Sequence, residues 1–157
     1  MARRRRAEKR DVAPDARYGS KLVTLLVNFT MRKGKKSVAE KIVYGAFDKI
    51  AAEIQGANPL EILERAVGNA RPRLEVKSRR VGGATYQVPL DIGGNRQVAL
   101  ALRWLVDFSH ARKGVLMMDA LATEIREASD GQGSCIRKRD EMHKMAQSNK
   151  AFAHFRW

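Results

Sequence analysis

A chain of 157 residues with a formal charge of +14 is long enough for one domain with a real hydrophobic core and too short to expect two. The charge points to a polyanionic partner, either nucleic acid or an anionic membrane surface. The single cysteine, Cys135, rules out an intrachain disulfide and, with no Cys or His cluster beside it, a zinc site, which fits a reducing cytosol.

No apolar run approaches the roughly 20 residues of a membrane span. The basic start, MARRRRAEKRD, is not followed by the apolar stretch of a secretory signal, and Glu8, Asp11 and Asp15 argue against a transit peptide. The charge is unevenly placed. Residues 1–36 hold twelve Lys/Arg and three Asp/Glu (+9), residues 71–81 five and one (+4), and residues 134–157 six and two (+4), so the remainder sums to −3. A slightly acidic body carries three basic appendages.

In chain order, residues 1–19 have almost no large apolar side chains and carry the mutually repelling run Arg3 to Arg6, so they read as a flexible basic arm. Ser20 caps a helix through about Arg32 that is apolar around most of its circumference, and the loop Lys33-Gly34-Lys35-Lys36 ends it. Ser37-Val38-Ala39-Glu40 reads as a capping box. Val38, Ile42, Val43, Phe47, Ile50 and Ile54 then keep helical spacing up to Gln55-Gly56. Asn58-Pro59-Leu60-Glu61 restarts a helix with a cap, proline at the first position and glutamate at the third, and Pro72 forces the exit.

Arg73 to Val88 reads as a β-hairpin turning at Gly82-Gly83, with Val81 opposite Ala84. Both of its faces mix charge with apolar side chains, so no core face is evident. A lone hairpin is marginal in water, and a partner is expected to lie against it. Three more helices follow. The first runs from Asn95 to about Arg112, with Val98, Ala99, Leu102, Leu105 and Val106 on its stripe and Arg96 and Arg103 off it. The second runs from Val115 to about Ala128. Ser134 caps the third, which runs to about Asn149 and carries Arg137, Lys138, Arg139 and Lys144 against few apolar residues. The organisation is thus a 1–19 arm, a 20–149 helical domain with a hairpin at about 73–89, and a 150–157 tail, Lys150 to Trp157, that mixes bases with aromatic rings. The fold class is mainly α.

Enzyme chemistry finds no support. His110, His143 and His154 lack the i, i+4 pairing or HExxH pattern of a metal site and read as surface or phosphate-facing histidines. No glycine-rich phosphate loop is present, since Gly82-Gly83 and Gly93-Gly94 are turn signals. The basic segments carry the function: Lys and Arg that contact phosphates release counterions whatever the sequence bound. Phe152, His154, Phe155, Arg156 and Trp157 supply rings and a guanidinium that can stack on unpaired bases or anchor the tail on the protein itself.

These segments also carry a close resemblance. MARRRRAEKR, MRKGKKSVAEKIVYGAF from Met31, AVGNARPRLEVKSRRVGGATYQVPL from Ala66, ALRWLV from Ala101 and KRDEMHKMAQSNKAFAHFRW from Lys138 resemble the bacterial S-seven family of small-subunit ribosomal proteins over essentially the whole chain. The stretch Ile92-Gly93-Gly94-Asn95 departs from the family, whose members usually carry bulkier or basic residues there. The resemblance implies six helices with one hairpin between the third and fourth. It also implies a non-enzymatic role without cofactor or metal: binding the 3′ major domain of 16S rRNA, nucleating assembly of the subunit head, and lying near the decoding region.

The partners implied by the resemblance are 16S rRNA, exit-site tRNA and mRNA, and the neighbouring proteins S-nine and S-eleven, with S-thirteen and S-nineteen as further candidates. No membrane is among them. Carried over by position, the rRNA-facing set is Arg3, Arg4, Arg5, Arg6, Lys9 and Arg10 of the arm; Arg32, Lys33, Lys35 and Lys36 of the first loop; Arg71, Arg73, Lys77, Arg79 and Arg80 of the hairpin; and Arg96, Arg103, Arg112, Lys113, Arg137, Lys138 and Arg139 of the later helices. The set near tRNA and mRNA is Arg79, Arg80, Gly82, Gly83, Tyr86, Lys144, Lys150, His154, Arg156 and Trp157. On this reading RNA is the partner that covers the hairpin. Composition alone leaves one alternative, an architectural DNA-binding protein with a basic β-arm.

Overall fold

The computed structural model describes residues 11–54 and 56–155. Helix α1 (Lys21–Thr30) starts where Ser20, in extended backbone, accepts a hydrogen bond from the Leu22 amide at 3.2 Å. Lys33 (φ 50°) and Gly34 (φ 73°) reverse the chain into α2 (Lys36–Glu53). The expected capping box at Ser37 to Glu40 does not form. The left-handed pair brings the backbone back to helical geometry one residue sooner, so Lys35 stands at the cap without a side-chain bond and Ser37 lies inside the first turn.

Helix α3 (Pro59–Ala70) starts as its sequence predicts, with the Asn58 side chain accepting from the Leu60 amide at 3.0 Å and proline at the first helical position. Strands β1 (Leu74–Val81) and β2 (Ala84–Asp91) form one antiparallel pair with Val81 opposite Ala84 and Leu74 opposite Asp91. Gly82 (φ 57°) and Gly83 (φ 90°) supply the two positive-φ positions a two-residue turn requires.

Helices α4 (Gly94–Ala111), α5 (Met117–Ser129) and α6 (Gly133–Ser148) complete the set of six, and Lys150–Phe155 form a terminal 3₁₀ helix. Helix α5 is the hub, packed against α2, α3, α4 and α6. Around it Leu26, Phe47, Ile50, Leu63, Leu102, Leu105, Leu121 and Ile125 are fully buried, each contributing about 1.5–3 kcal/mol relative to exposure. Among the described residues Val38, Ile54, Val115, Leu116 and Met145 are large apolar side chains exposed outside this core. Val38, on the predicted stripe of α2, is 50% exposed, and Val115, predicted to open α5, is 52% exposed in the preceding loop.

Helix α6 is capped from another helix rather than by Ser134. Glu124 of α5, fully buried, accepts the Cys135 amide at 2.9 Å and takes the place of a local cap. Gly133 (φ 90°) admits the chain here, and a Cβ on it would meet Glu127 at 3.0 Å. Arg112 closes the cluster, donating to Glu124 at 2.7 Å and to Glu127 at 2.6 Å. Burial pushes the Cys135 thiol up to about 12, with the Glu124 charge adding to the shift.

Two further segments depart from the sequence reading. Residues 13–18, grouped there with the arm, lie against the body. Thr24 donates to the Ala13 carbonyl at 2.9 Å, the Tyr44 hydroxyl donates to Asp15 at 2.7 Å, and Arg17 pairs with Asp48 at 2.6 Å. Burial alone would raise the Asp15 carboxyl, but the bonds from Tyr44 and from the Tyr18 and Arg17 amides outweigh it and hold the group below its ordinary value; the same Asp15 bond is the main cause that pushes Tyr44 up to about 12. The hairpin also has a protein partner at its root. Val88, Pro89 and Glu75 are buried there, both strands pack on α6, and the 3₁₀ helix packs on β2. RNA is therefore not needed to cover that half.

Candidate nucleic-acid interface

The cations sort by what already holds them. Arg112 is committed to Glu124 and Glu127. Arg96 donates to Glu75 at 2.8–2.9 Å, and Lys77 approaches the same carboxylate at 3.5 Å. Burial alone would raise Glu75, but the bond and charge of Arg96, followed by Lys77, hold it below its usual value. The guanidinium carbon of Arg103 lies 5.9 Å from the centre of the Phe29 ring, and Lys138 pairs with Glu141 at 3.5 Å. Among the described residues Arg32, Lys33, Lys35, Arg71, Arg73, Arg79, Arg80 and Lys113 form no ion pair. Positive charge without an internal partner is what a polyanion can use.

These unpaired cations converge in three places. At one end of the bundle, Arg32, Lys35 and His110 rim a groove of about 270 Å³ whose apolar wall is Val38, Ile42, Val106 and Met117. A cationic rim over an apolar floor suits a nucleotide, with phosphate at the rim and base against the floor. At the opposite extreme of the hairpin, Arg79 and Arg80 flank the exposed Gly82-Gly83 turn.

The third place is a notch of about 340 Å³ lined by Gly68, Asn69, Arg71, Arg73, Arg139 and His143. The Arg73 amide donates to His143 Nε2 at 2.9 Å, tying the start of β1 to α6. Arg139 is fixed by Asp140 and by the Asn69 carbonyl, and the Asn69 amide in turn donates to the Ala128 and Ser129 carbonyls at 3.0 Å each. A cleft running on from the notch reaches Leu74, Pro89, Asp91, Gln147 and Lys150.

In the tail, the Phe152 ring lies 5.0 Å from Tyr86 of β2, and His154 Nδ1 is 2.9 Å from the Ala151 carbonyl. Tyr86 is thus in contact with the tail as well as close to the tip. Arg3, Arg4, Arg5, Arg6, Lys9, Arg10, Arg156 and Trp157 lie outside the described residues. Lys36 pairs with Glu40 at 3.7 Å, Arg137 reaches Ser134 at 3.4 Å, and Lys144 is exposed on α6.

Sequence reasoning saw His143 only as one of three phosphate-facing candidates. Nothing local marks it as the residue that bonds the hairpin, because its partner is 70 residues away. Among the described residues no three metal-ligating side chains cluster, and no helix is long and apolar enough to cross a membrane.

A helical scaffold that satisfies its internal carboxylates and leaves separate groups of cations unpaired belongs to the class of proteins that hold a polyanion in shape. Comparison with known proteins agrees. Residues 2–150 match the family described as "Ribosomal protein S7p/S5e". The chain is 55% identical over 157 residues, covering all of both chains, to the small ribosomal subunit protein uS7 of Francisella tularensis subsp. holarctica (strain OSU18), and 54% identical over the same span to that of subsp. novicida (strain U112). The chain belongs to the S7p/S5e family of ribosomal proteins. It is a structural, non-enzymatic constituent of the small subunit, with rRNA and other ribosomal proteins as its classes of partner.

Proposed function

We propose that the protein is a primary binder of 16S rRNA that nucleates assembly of the subunit head around the 3′ major domain, and that its hairpin tip and tail lie near exit-site tRNA and the mRNA path. The observation that carries this reading is the division of its cations. Arg32 and Lys35 of the groove, Arg79 and Arg80 of the hairpin tip and Arg71 and Arg73 of the notch are left without carboxylate partners, while Arg96 and Arg112 are neutralised inside the fold. A protein with such groups on separate sides can hold rRNA helices in a fixed mutual arrangement, and the affinity comes chiefly from phosphate neutralisation. The family resemblance adds S-nine and S-eleven, proteins of the head and platform, as the neighbours expected beside it, S-eleven at the tail.

The test is competition between a 3′ major-domain fragment of 16S rRNA and duplex DNA of equal length at matched salt, combined with footprinting on intact 16S rRNA. The fragment is expected to bind more tightly with a steep salt dependence, and protections are expected to cluster in the 3′ major domain. Equal affinity for the two nucleic acids favours the architectural DNA-binding alternative.

A further inference from the structure

We propose that the notch between the end of α3, the start of β1 and α6 seats one backbone phosphate of RNA, and that His143 is its proton-linked ligand, exchanging its bond to the Arg73 amide for a bond to the phosphate as it takes up a proton. This rests on the rRNA-binding reading above and specifies the anion and its proton at one point of that surface.

The starting state is set by one hydrogen bond. Because the Arg73 amide donates to Nε2 at 2.9 Å, Nε2 is an acceptor, the ring proton sits on Nδ1, and the imidazole is neutral. A doubly protonated ring has no lone pair left for that amide. Charging His143 therefore breaks the link to the hairpin and leaves the Arg73 N–H unpaired unless another acceptor takes it.

The surroundings favour the neutral ring when the notch is empty. Burial holds His143 below its ordinary value, and Arg139 and then Arg73 add to this against the opposing Asp140. The charged groups facing the ring are Arg139 and Asp140 from α6, Arg71 and Arg73 from the connection between α3 and β1, and, along the adjoining cleft, Asp91 of β2 and Lys150 of the 3₁₀ helix. Four cations thus stand against two carboxylates. Arg139 is no loose side chain, since Asp140 and the Asn69 carbonyl hold its guanidinium in place.

A phosphate diester reverses the sign of this field. It is a multiple acceptor at the one place where Arg71, Arg73 and Arg139 meet, so the imidazolium becomes favourable there, and the Arg73 N–H freed by protonation finds a phosphate oxygen as its new partner. One proton comes from solvent for each phosphate seated, and no covalent bond changes. By linkage, a phosphate that raises the His143 pKa by one unit binds up to about tenfold more tightly below the phosphate-free value than above the raised one.

The experiment follows the ring signals of His143, His110 and His154 in the full chain by NMR. The pH is varied from 5 to 8 in chloride and, at matched ionic strength, in dimethyl phosphate, a diester that stays singly charged over this range. Dimethyl phosphate is expected to raise the His143 titration by about one unit and to leave His154, which lines neither the notch nor the Arg32 groove, nearly where chloride has it. In parallel, binding of the 3′ major-domain fragment at pH 6 and pH 8 is compared between the wild type and His143→Asn. The wild type is expected to gain up to about tenfold more than the variant on going to pH 6. A His143 titration that is the same in both salts, an equal shift of His143 and His154, or an unchanged pH ratio in His143→Asn overturns the proposal. If the rRNA fragment still outcompetes duplex DNA, only the proton-linked seat has failed. If it does not, the underlying function has failed as well.

Discussion

The root and the tip of the hairpin are the same two strands in one continuous register, and they meet opposite surroundings. At the root, Val88 is fully buried, Arg96 holds Glu75, His143 holds the Arg73 amide and Phe152 packs on Tyr86. At the tip, Ser78, Arg80, Thr85 and both turn glycines are exposed, and Arg79 and Arg80 have no ion pair. At the root Arg96 and Lys77 are thus compensated by Glu75, whereas Arg79 and Arg80 are left uncompensated where the ribbon leaves the body. The hairpin is two objects joined end to end.

Excision separates them most strongly. Replacing Leu74–Asp91 by a short linker is expected to cost several kcal/mol of stability, because it strips the cover from α6 and the 3₁₀ helix. Replacing residues 80–85 alone by a two-residue turn is expected to stay within about 0.5 kcal/mol. Thermal unfolding by circular dichroism distinguishes these outcomes, and equal losses would erase the boundary between root and tip. Single substitutions repeat the contrast on a smaller scale: Val88→Ala at the root is expected to cost about 2 kcal/mol, and Thr85→Ala at the tip close to nothing, both by denaturant titration.

The tip should instead register on RNA. Arg79→Ala with Arg80→Ala is expected to leave unfolding unchanged, weaken binding of the 16S fragment roughly tenfold and flatten its salt dependence by about one to two phosphate contacts. A drop in stability without a change in salt slope would place these arginines in the fold. The root has a pH signature of its own. The Glu75 carboxyl is held below its unfolded value, so its contribution to stability is present above about pH 4.5 and is lost as the pH falls through the lower folded value. Glu75→Gln should flatten that part of the acid-unfolding curve by less than about 1 kcal/mol, because the partner Arg96 is largely exposed and screened. A small gain is expected just beyond β2, where Gly93 caps α4 in extended backbone without a side-chain bond. Gly93→Ser should gain a few tenths of a kcal/mol in thermal unfolding.

What could be read from the chain beforehand follows the range of the interaction responsible. Ser20, Asn58-Pro59 and Gly82-Gly83 act on their immediate neighbours, and each forms the cap or turn its sequence predicts. Ser37 and Ser134 looked like the same kind of signal and are not caps. A left-handed turn supplies the start of α2, and a carboxylate from a different helix supplies that of α6. The candidate interface divides in the same way. Basic segments were visible as runs of charge, but Arg96 and Arg112 are indistinguishable in sequence from Arg79 and Arg80 until the fold brings Glu75, Glu124 and Glu127 against them. The covered root was missed because its cover comes from α6 and the tail, far along the chain, and neither strand shows a clean apolar face.

The carboxylate of Glu124 ties the order of events in folding to the function of α6. With no cap of its own, α6 has its first turn completed only after α5 has docked and presented that oxygen, so the two helices should protect their amides from hydrogen exchange as one cooperative unit rather than separately. Any event that loosens α5, even briefly, then frays the helix that carries Arg139 and His143. A substitution at Glu124, buried inside the fold, would therefore show its first symptom as faster exchange at Cys135 and a less sharply fixed hairpin, well before the protein as a whole unfolds.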